Sequence, residues 1–383
     1  MTDPIVTKYK TPVIKKDQPD DTYKFKALPS PTGSYPYRLS LAQIFPEVND
    51  PEVDGQTMAF HMVGDTGSIR NPDFQKLVTE TMGMQYNTVP NTHQPRFLYH
   101  LGDVVYNFGE AERYCDQFFK PYERYPAPIM AIAGNHDSDV NPDNPVPYKS
   151  LDAFVAVFCD TRPRPVAFSC GSGRKSMIQP NIYWTLDTPL AIIIGLHGNV
   201  PRYGVITDEQ RAWFIGELKN AQMERSHKML IVCLHQAPYS ADINHGSSVP
   251  MIEFLEGVFS ETGIRPDIIF SGHVHNYQRF SKHYADGTVV PYIVAGGGGY
   301  DELHAIASVG DERFTNANTL FDGVHLEAYS DTKHGFLQVI ISKTGSELTL
   351  TGEYYTLSHE TPTDEPPAAV LTDHFRISRS GSM

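Results

Sequence analysis

The stretch PDIIFSGHVHNYQR, residues 266–279, carries an apolar run that stops at Gly272 and delivers two histidines, His273 and His275. A short apolar, β-branched run bounded by Pro and Gly reads as a buried strand. Two imidazoles one residue apart beyond a strand end can turn toward one point. A single pair decides nothing, so the reading depends on what the other strands supply. QTMAFHMV (56–63) stops at Gly64-Asp65, and RFLYHL (96–101) stops at Gly102-Asp103. APIMAIA (127–133) runs into Gly134-Asn135-His136-Asp137, and KMLIVCL (228–234) ends at His235. Five apolar strands therefore end in polar side chains. In α/β sheets, ligands collect beyond the carboxyl ends of strands.

Helical patterns separate these strands, which makes the chain α/β. NPDFQKLVTETM (71–82) predicts a helix with Asn71 as N-cap and Pro72 in its first turn. EAERYCDQFFKPY (110–122), TDEQRAWFIGELKNAQ (207–222) and VPMIEFLEGVFSET (249–262) predict three more. Thr207 and Gln210 stand at capping-box spacing. NIYWTLD (181–187), AIIIGL (191–196), TVVPYIVAGGGG (288–299), GFLQVIIS (335–342) and ELTLTGEYYTL (347–357) predict further strands. The expected organisation is an irregular N-terminal arm over 1–55, a catalytic domain over 56–357 and a polar C-terminal tail over 358–383. A Pro/Gly/Arg-rich insertion at about 141–180 interrupts the domain.

Composition narrows the function. The chain has 383 residues, 40% of them hydrophobic, enough for one large or two ordinary domains. Its 31 Lys+Arg against 45 Asp+Glu give a formal charge of -14, which argues against a nucleic-acid or anionic-membrane binder. No apolar run is long enough to span a membrane, and no signal sequence is visible, so a cytoplasmic location is expected. The cysteines, Cys115, Cys159, Cys170 and Cys233, form no CxxC pair. That spacing argues against a thiolate zinc site, and the expected state is reduced. In an oxidising compartment, Cys159 and Cys170 are the pair placed to bridge.

The pooled strand-end groups are Asp65, Asp103, Asn135, His235, His273 and His275, with Tyr106 nearby. Oxygen and imidazole donors suit borderline transition metals such as iron, manganese and zinc. Seven donors exceed one tetrahedral site and suit two metals sharing a carboxylate. Such a pair clamps an in-line displacement at phosphorus.

At this point the chain resembles a known family. GDTG (64–67), GDVVY (102–106), GNHD (134–137), VCLHQAPY (232–239) and GHVHNY (272–277) are similar, in order, to the motifs of calcineurin-like metallophosphoesterases. The resemblance covers about 56–355 and is nearest to the purple acid phosphatases, which also have Gly at the place of Gly67 and Tyr at the place of Tyr106. It implies a four-layer α/β/β/α sandwich of two mixed sheets flanked by helices. It also implies two metal ions: Fe(III) held by Asp65, Asp103, Tyr106 and His275, and Fe(II), Zn or Mn held by Asp103, Asn135, His235 and His273. Asp103 bridges. The implied reaction is hydrolysis of small-molecule phosphate monoesters by in-line attack of a metal-bound hydroxide. His136 and His245 match the family's catalytic imidazoles, either of which serves as general acid. The chain departs from the family at Asp137, where Glu is usual, at Asn244, where His is common, and at Gln278, where Glu is common.

Two other functions fit the same motifs. One is a phosphodiesterase acting on nucleotide or lipid-headgroup diesters. The other is a catalytically inactive metal-binding protein, for which missing ligands are the mark. His61 and His93 read as surface or packed residues, His100 as a support behind the ligands, and His197 as a pocket border. Gly296–Gly299 reads as a tight turn lining the pocket, because neither Lys-Ser/Thr nor a helix start follows. Tyr300 reads as a wall residue. Arg162, Arg164, Arg174 and Lys175 give the insertion the option of a substrate-contacting lid.

Overall fold

The structure, a computed structural model, describes residues 7–45, 56–358 and 368–380. In chain order the strands are β1 (Ile14–Lys15), β2 (Arg38–Ser40), β3 (Thr57–Val63), β4 (Pro95–His100), β5 (Ile129–Ala131), β6 (Trp184–Asp187), β7 (Ala191–Gly195) and β8 (Met229–Leu234). They continue with β9 (Ile268–Ser271), β10 (Tyr277–His283), β11 (Val289–Ala295), β12 (Phe314–Thr315), β13 (Val324–Ser330), β14 (Gly335–Thr344), β15 (Glu347–Leu357) and β16 (Ala369–Ser380). The helices are α1 (Pro72–Thr88), α2 (Ala111–Tyr114), α3 (Asn135–Ser138), α4 (Asp152–Phe158), α5 (Asp208–Glu224) and α6 (Val249–Thr262). No helix among the described residues is long and apolar enough to cross a membrane.

Two mixed sheets face each other. One has the order β13-β10-β11-β9-β8-β7-β6-β2, the other β16-β15-β14-β3-β4-β5. α5 packs on β7 and against α6, while α1 packs on β14, so helices cover the outer faces. This is the sandwich the resemblance implied. Within each sheet the central strands β3–β5 and β7–β9 run parallel to one another and read as unbroken apolar runs because both faces are covered. Between the sheets, Tyr99 of β4 stacks on Trp184 of β6 at 6.0 Å. Each such buried side chain contributes about 1.5–3 kcal/mol through the apolar area it removes from water. The sheets approach closely at Gly195, where a Cβ would stand 2.4 Å from the Tyr99 hydroxyl oxygen.

Several local expectations hold. Thr207 caps α5, its hydroxyl accepting from the Gln210 amide at 3.2 Å. Pro72 opens α1, which runs six residues past the expected end at Met82; Asn71 makes no side-chain cap.

Other expectations are overturned. The single helix over 110–122 becomes α2 followed by a π-helical turn, Cys115–Phe119. Such bulges cluster where a side chain is diverted to a functional job, and Gln117 is diverted here toward Tyr106. The cysteines are not all reduced. Cys115 and Cys170 form a disulfide with a Cα–Cα distance of 5.6 Å, whereas Cys159 and Cys233 are buried and free. The bridge ties the π-helical turn to the insertion. It could not be read from spacing, because the sequence separation of 55 places no constraint on which thiols meet. Disulfides persist in oxidising compartments, which sets this pair against the reduced state expected.

The segment after Ser358 is not only a surface tail, since residues 369–380 add an edge strand to the smaller sheet. Its Asp373 accepts hydrogen bonds from the Tyr277 hydroxyl and Arg279 Nε, both at 2.7 Å. β10 and β13 were also missed. Both carry charged residues on an alternating face, which weakens the apolar signal of a strand.

Candidate metal centre

The carboxyl ends of β3, β4 and β5 deliver Asp65, Asp103 and Asn135 from one sheet. β8 and β9 deliver His235, His273 and His275 from the other. Main-chain hydrogen bonds cross between the sheets: Gly64 donates to the Ala295 carbonyl at 2.9 Å, and Gly335 to that of Gly297 at 2.9 Å. Asp65, Asp103 and His273 adopt left-handed backbone, with φ of 58°, 54° and 69°. That conformation costs a residue with a Cβ about 1–2 kcal/mol and persists where surroundings dictate it, often at functional sites. Here Asp65 is held by donation to the Gly102 carbonyl at 3.0 Å, and His273 by donation to Asp65 Oδ2 at 2.8 Å.

The donor atoms fall into two groups. In the first, Tyr106 Oη lies 3.3 Å from both Asp65 Oδ1 and His275 Nε2, and those two lie 3.6 Å apart. In the second, Asn135 Oδ1 lies 3.1 Å from His235 Nε2 and 3.0 Å from His273 Nδ1, and Asp103 Oδ2 lies 3.3 Å from His235 Nε2. Donors placed about 2.1 Å from one ion are separated by about 3.0–3.4 Å in octahedral or tetrahedral geometry, so both groups have ligand spacing. Asp65, Asp103 and His235 offer donor atoms all within 4.8 Å of one another. Backbone carbonyls set the tautomers: His235 Nδ1 faces the Leu101 carbonyl at 2.8 Å and His275 Nδ1 that of Glu302 at 3.2 Å. These two rings then present Nε2 to the cluster, whereas His273 presents Nδ1.

The electrostatics of the bare residues also suit cations. Burial, aided by Asp103, pushes the Asp65 carboxyl well above the usual range. Burial acts on Asp103 too, but the His235 and His136 imidazoles outweigh it and hold that carboxyl low. Burial lowers His235, yet the Asp103 charge and hydrogen bond raise it to about 9. Burial and then Asp103 and Asp65 push the Tyr106 phenol well above its ordinary value. Two carboxyls and a phenol thus share one buried imidazolium. Divalent and trivalent ions reverse this logic and favour every anionic donor.

Around the cluster the chain fixes each loop. Asp137 accepts from the backbone amides of Val104, Val105 and Gly134 at 2.9–3.1 Å, which clamps the Asp103 and Asn135 turns together. Burial, then the Asp103 charge, raise it to about 6 against those donors. Gln117 brackets the Tyr106 backbone, accepting from its amide at 2.8 Å and donating to its carbonyl at 3.1 Å. At Gly67 a Cβ would stand 2.4 Å from Gln117 Oε1 and 3.0 Å from Tyr106 Cδ2, so the Tyr106 arrangement requires glycine there.

The proposed proton-handling histidines pack against different ligand residues. His136 donates its amide to Asp103 Oδ1 at 2.9 Å, and its ring lies 4.5 Å from that of Tyr106. His245 stacks beside His273 at 4.2 Å; burial, then the imidazoles of His304 and His275, hold it well below its ordinary value. His100 accepts or donates at Thr66 Oγ1, 2.9 Å away, behind the cluster. His197 is buried, its ring beside the Ala133 backbone. His61 is buried on β3 away from the centre, and His93 is exposed. The Tyr300 ring packs, tilted, against both Tyr106 (4.2 Å) and His275 (4.3 Å). Among the insertion's cations, Arg174 is spent on the carbonyls of Tyr122, Tyr125 and Ala127. Sequence reasoning missed Asp242, Gln117 and His304. Asp242 and His304 lie in loops outside every motif, and only the fold brings them to the cluster.

The sequence profile of the calcineurin-like phosphoesterases matches residues 58–277. Purple acid phosphatase 21 of Arabidopsis thaliana is 28% identical over 184 residues, 46% of this chain and 37% of that protein. An uncharacterised protein of Mycobacterium tuberculosis is 28% identical over 162 residues, 40% of this chain and 28% of that protein. The chain therefore spans under half the length of these relatives. Among solved structures, that of PhoD aligns over 93% of this chain and 72% of its own, at 12% identity and a TM-score of 0.49.

Proposed function

The chain belongs to the calcineurin-like phosphoesterase family, and from that premise we propose that it is a phosphatase hydrolysing small phosphate monoesters at a two-metal centre. Asp65, Asp103, Tyr106 and His275 would hold one metal, and Asp103, Asn135, His235 and His273 the other. The observation that carries the reading is the division of donor atoms into two groups at ligand spacing. The monoester preference and the assignment of Fe(III) to the Tyr106 side, with Fe(II), Zn or Mn opposite, rest on the Tyr106–Gly67 pairing. A phenolate is a hard anionic donor that suits ferric iron.

When bound, the metals depress the pKa of coordinated water and neutralise charge on the phosphoryl oxygens. The chain does the rest. Asp137 and Gln117 hold the ligand loops so that the donors need little rearrangement. Tyr300 shields the Tyr106 side from solvent. His245 and His136 stand beside the two ligand groups, within reach of an ester seated between them. Burial holds the His245 imidazole low, and the negative charge of a bound phosphate favours its protonated form. It can then give that proton to the departing alkoxide.

The test compares kcat/KM for a matched aryl phosphate monoester and diester, across pH, on protein of measured metal content. A strong monoester preference supports the proposal. A diester preference refutes the substrate class while keeping the metal centre, and no turnover by fully loaded protein refutes the enzyme. Iron-loaded wild type should be coloured and Tyr106→Phe colourless; a colourless wild type refutes the Tyr106 ligation.

A further inference from the structure

A buried carboxylate outside every motif ties together the two loops that flank the cluster. Asp242, fully buried, accepts from the amides of Asn244 (2.9 Å), His245 (3.2 Å) and Gly246 (2.7 Å) and from the Ser240 hydroxyl (3.1 Å). Its Oδ2 also lies 3.1 Å from Nδ1 of His304, which belongs to the loop after β11. The His304 ring stacks on His275 at 4.2 Å and lies 5.2 Å from His245. The same two loops are joined by main chain: Ile243 donates to the Ala305 carbonyl at 3.0 Å and Ala307 to that of Ala241 at 2.7 Å.

Two contacts compete for His304 Nδ1. The Asp242 carboxylate stands at 3.1 Å and the His275 amide donor at 3.3 Å. One nitrogen cannot donate to the first and accept from the second. Burial raises the Asp242 carboxyl, but the His304 hydrogen bond and the amide donors outweigh it and keep it ionised. The carboxylate is the nearer partner and its oxygens accept, so Nδ1 donates to Asp242 and that bond is the one made. One carboxylate thus fixes both the turn that carries His245 and the ring that backs His275.

We propose that Asp242 and His304 are positioning residues of the phosphate pocket: their bond locks the His245 turn against the His304 loop and so holds the His245 ring where it contacts the phosphoryl group. The inference rests on the phosphatase reading for the identity of the ligand. It assigns these residues no contact with substrate of their own. Loss of this bond frees the His245 turn and should cost about tenfold in phosphate affinity, about 1.4 kcal/mol.

Asp242 has too many amide partners to replace without risking the fold, so the test uses His304. His304→Phe keeps a ring against His275 and removes the donor. His304→Asn removes the ring and keeps a donor near the place of Nδ1. The readouts are the Kd of inorganic phosphate by calorimetry on metal-loaded protein, the KM and kcat for an aryl phosphate, and bound metal. Expected are a Kd and a KM raised together about tenfold in His304→Phe, with kcat and metal content little changed, and near wild-type values in His304→Asn. Equal behaviour of the two variants overturns the proposal, as does a loss in His304→Phe that appears only in kcat or metal content. Phosphate binding is read without turnover. An inactive wild type that binds phosphate would refute the phosphatase reading and leave this test standing; a wild type that binds none would overturn both.

Discussion

His61 offers the sharpest test of how this fold responds to acid. It lies on β3, fully buried, with Nδ1 2.9 Å from the Tyr125 hydroxyl and Nε2 2.8 Å from Gln85 Oε1. Burial lowers its pKa to about 4, against the opposing pull of Gln85. The unfolded chain takes up this proton near 6.5 and the folded chain only near 4. Between those values the unfolded state binds more protons, so stability falls as pH falls. The contribution is fully present above the unfolded value and is lost on descent to the folded one. Its full size is about 3 kcal/mol, of which about 2 kcal/mol disappears between about pH 7.5 and about pH 5. The assay is guanidinium unfolding of wild type and His61→Gln at those two pH values, with equal metal loading and the disulfide intact. Glutamine cannot titrate, so wild type should lose about 2 kcal/mol more than the variant. Equal losses would refute the account of His61 as a buried neutral imidazole. His197, at about 4, and His100, at about 3, are lowered by the same burial. Activity measured in acid should therefore fall with time through unfolding, a loss separable from the instantaneous pH dependence of catalysis.

Two further outcomes follow from packing and covalent structure. Gly67→Ala places a Cβ 2.4 Å from Gln117 Oε1 and 2.7 Å from the Val104 carbonyl oxygen; the overpacking should cost about 1–3 kcal/mol, lower Tm, and reduce iron bound at the Tyr106 side, read by metal analysis. Cys170→Ser opens a bridge spanning 55 residues and should cost about 4 kcal/mol in guanidinium unfolding, while peptide mapping of wild type should find Cys115 joined to Cys170 and Cys159 free.

How much was legible depended on whether a residue's job was local. Asp65, Asp103, Asn135, His235 and His273-His275 each follow an apolar strand, and a strand end points its next residues at one edge of the sheet. That rule needs only neighbours in sequence, so the α/β class and the residues that gather at the strand ends could be read from the chain. The same holds for the Thr207 cap, whose partner lies three residues away. Asp242 and His304 are different. They lie in loops 62 positions apart, and nothing near either predicts the other; only the pairing of the two loops in the folded sandwich makes them one unit. Cys115 found Cys170 rather than remaining reduced because the π-helical turn and the insertion meet in space. β16 was hidden because an edge strand buries one side chain in several, and its anchor, the Asp373–Arg279 pair, belongs to the opposite sheet. The sequence by itself determined which side chains leave the strands and what chemistry they carry, because alternation and strand ends are local properties. The tertiary structure alone decided which loops brace them, because those contacts join segments that the chain order keeps far apart.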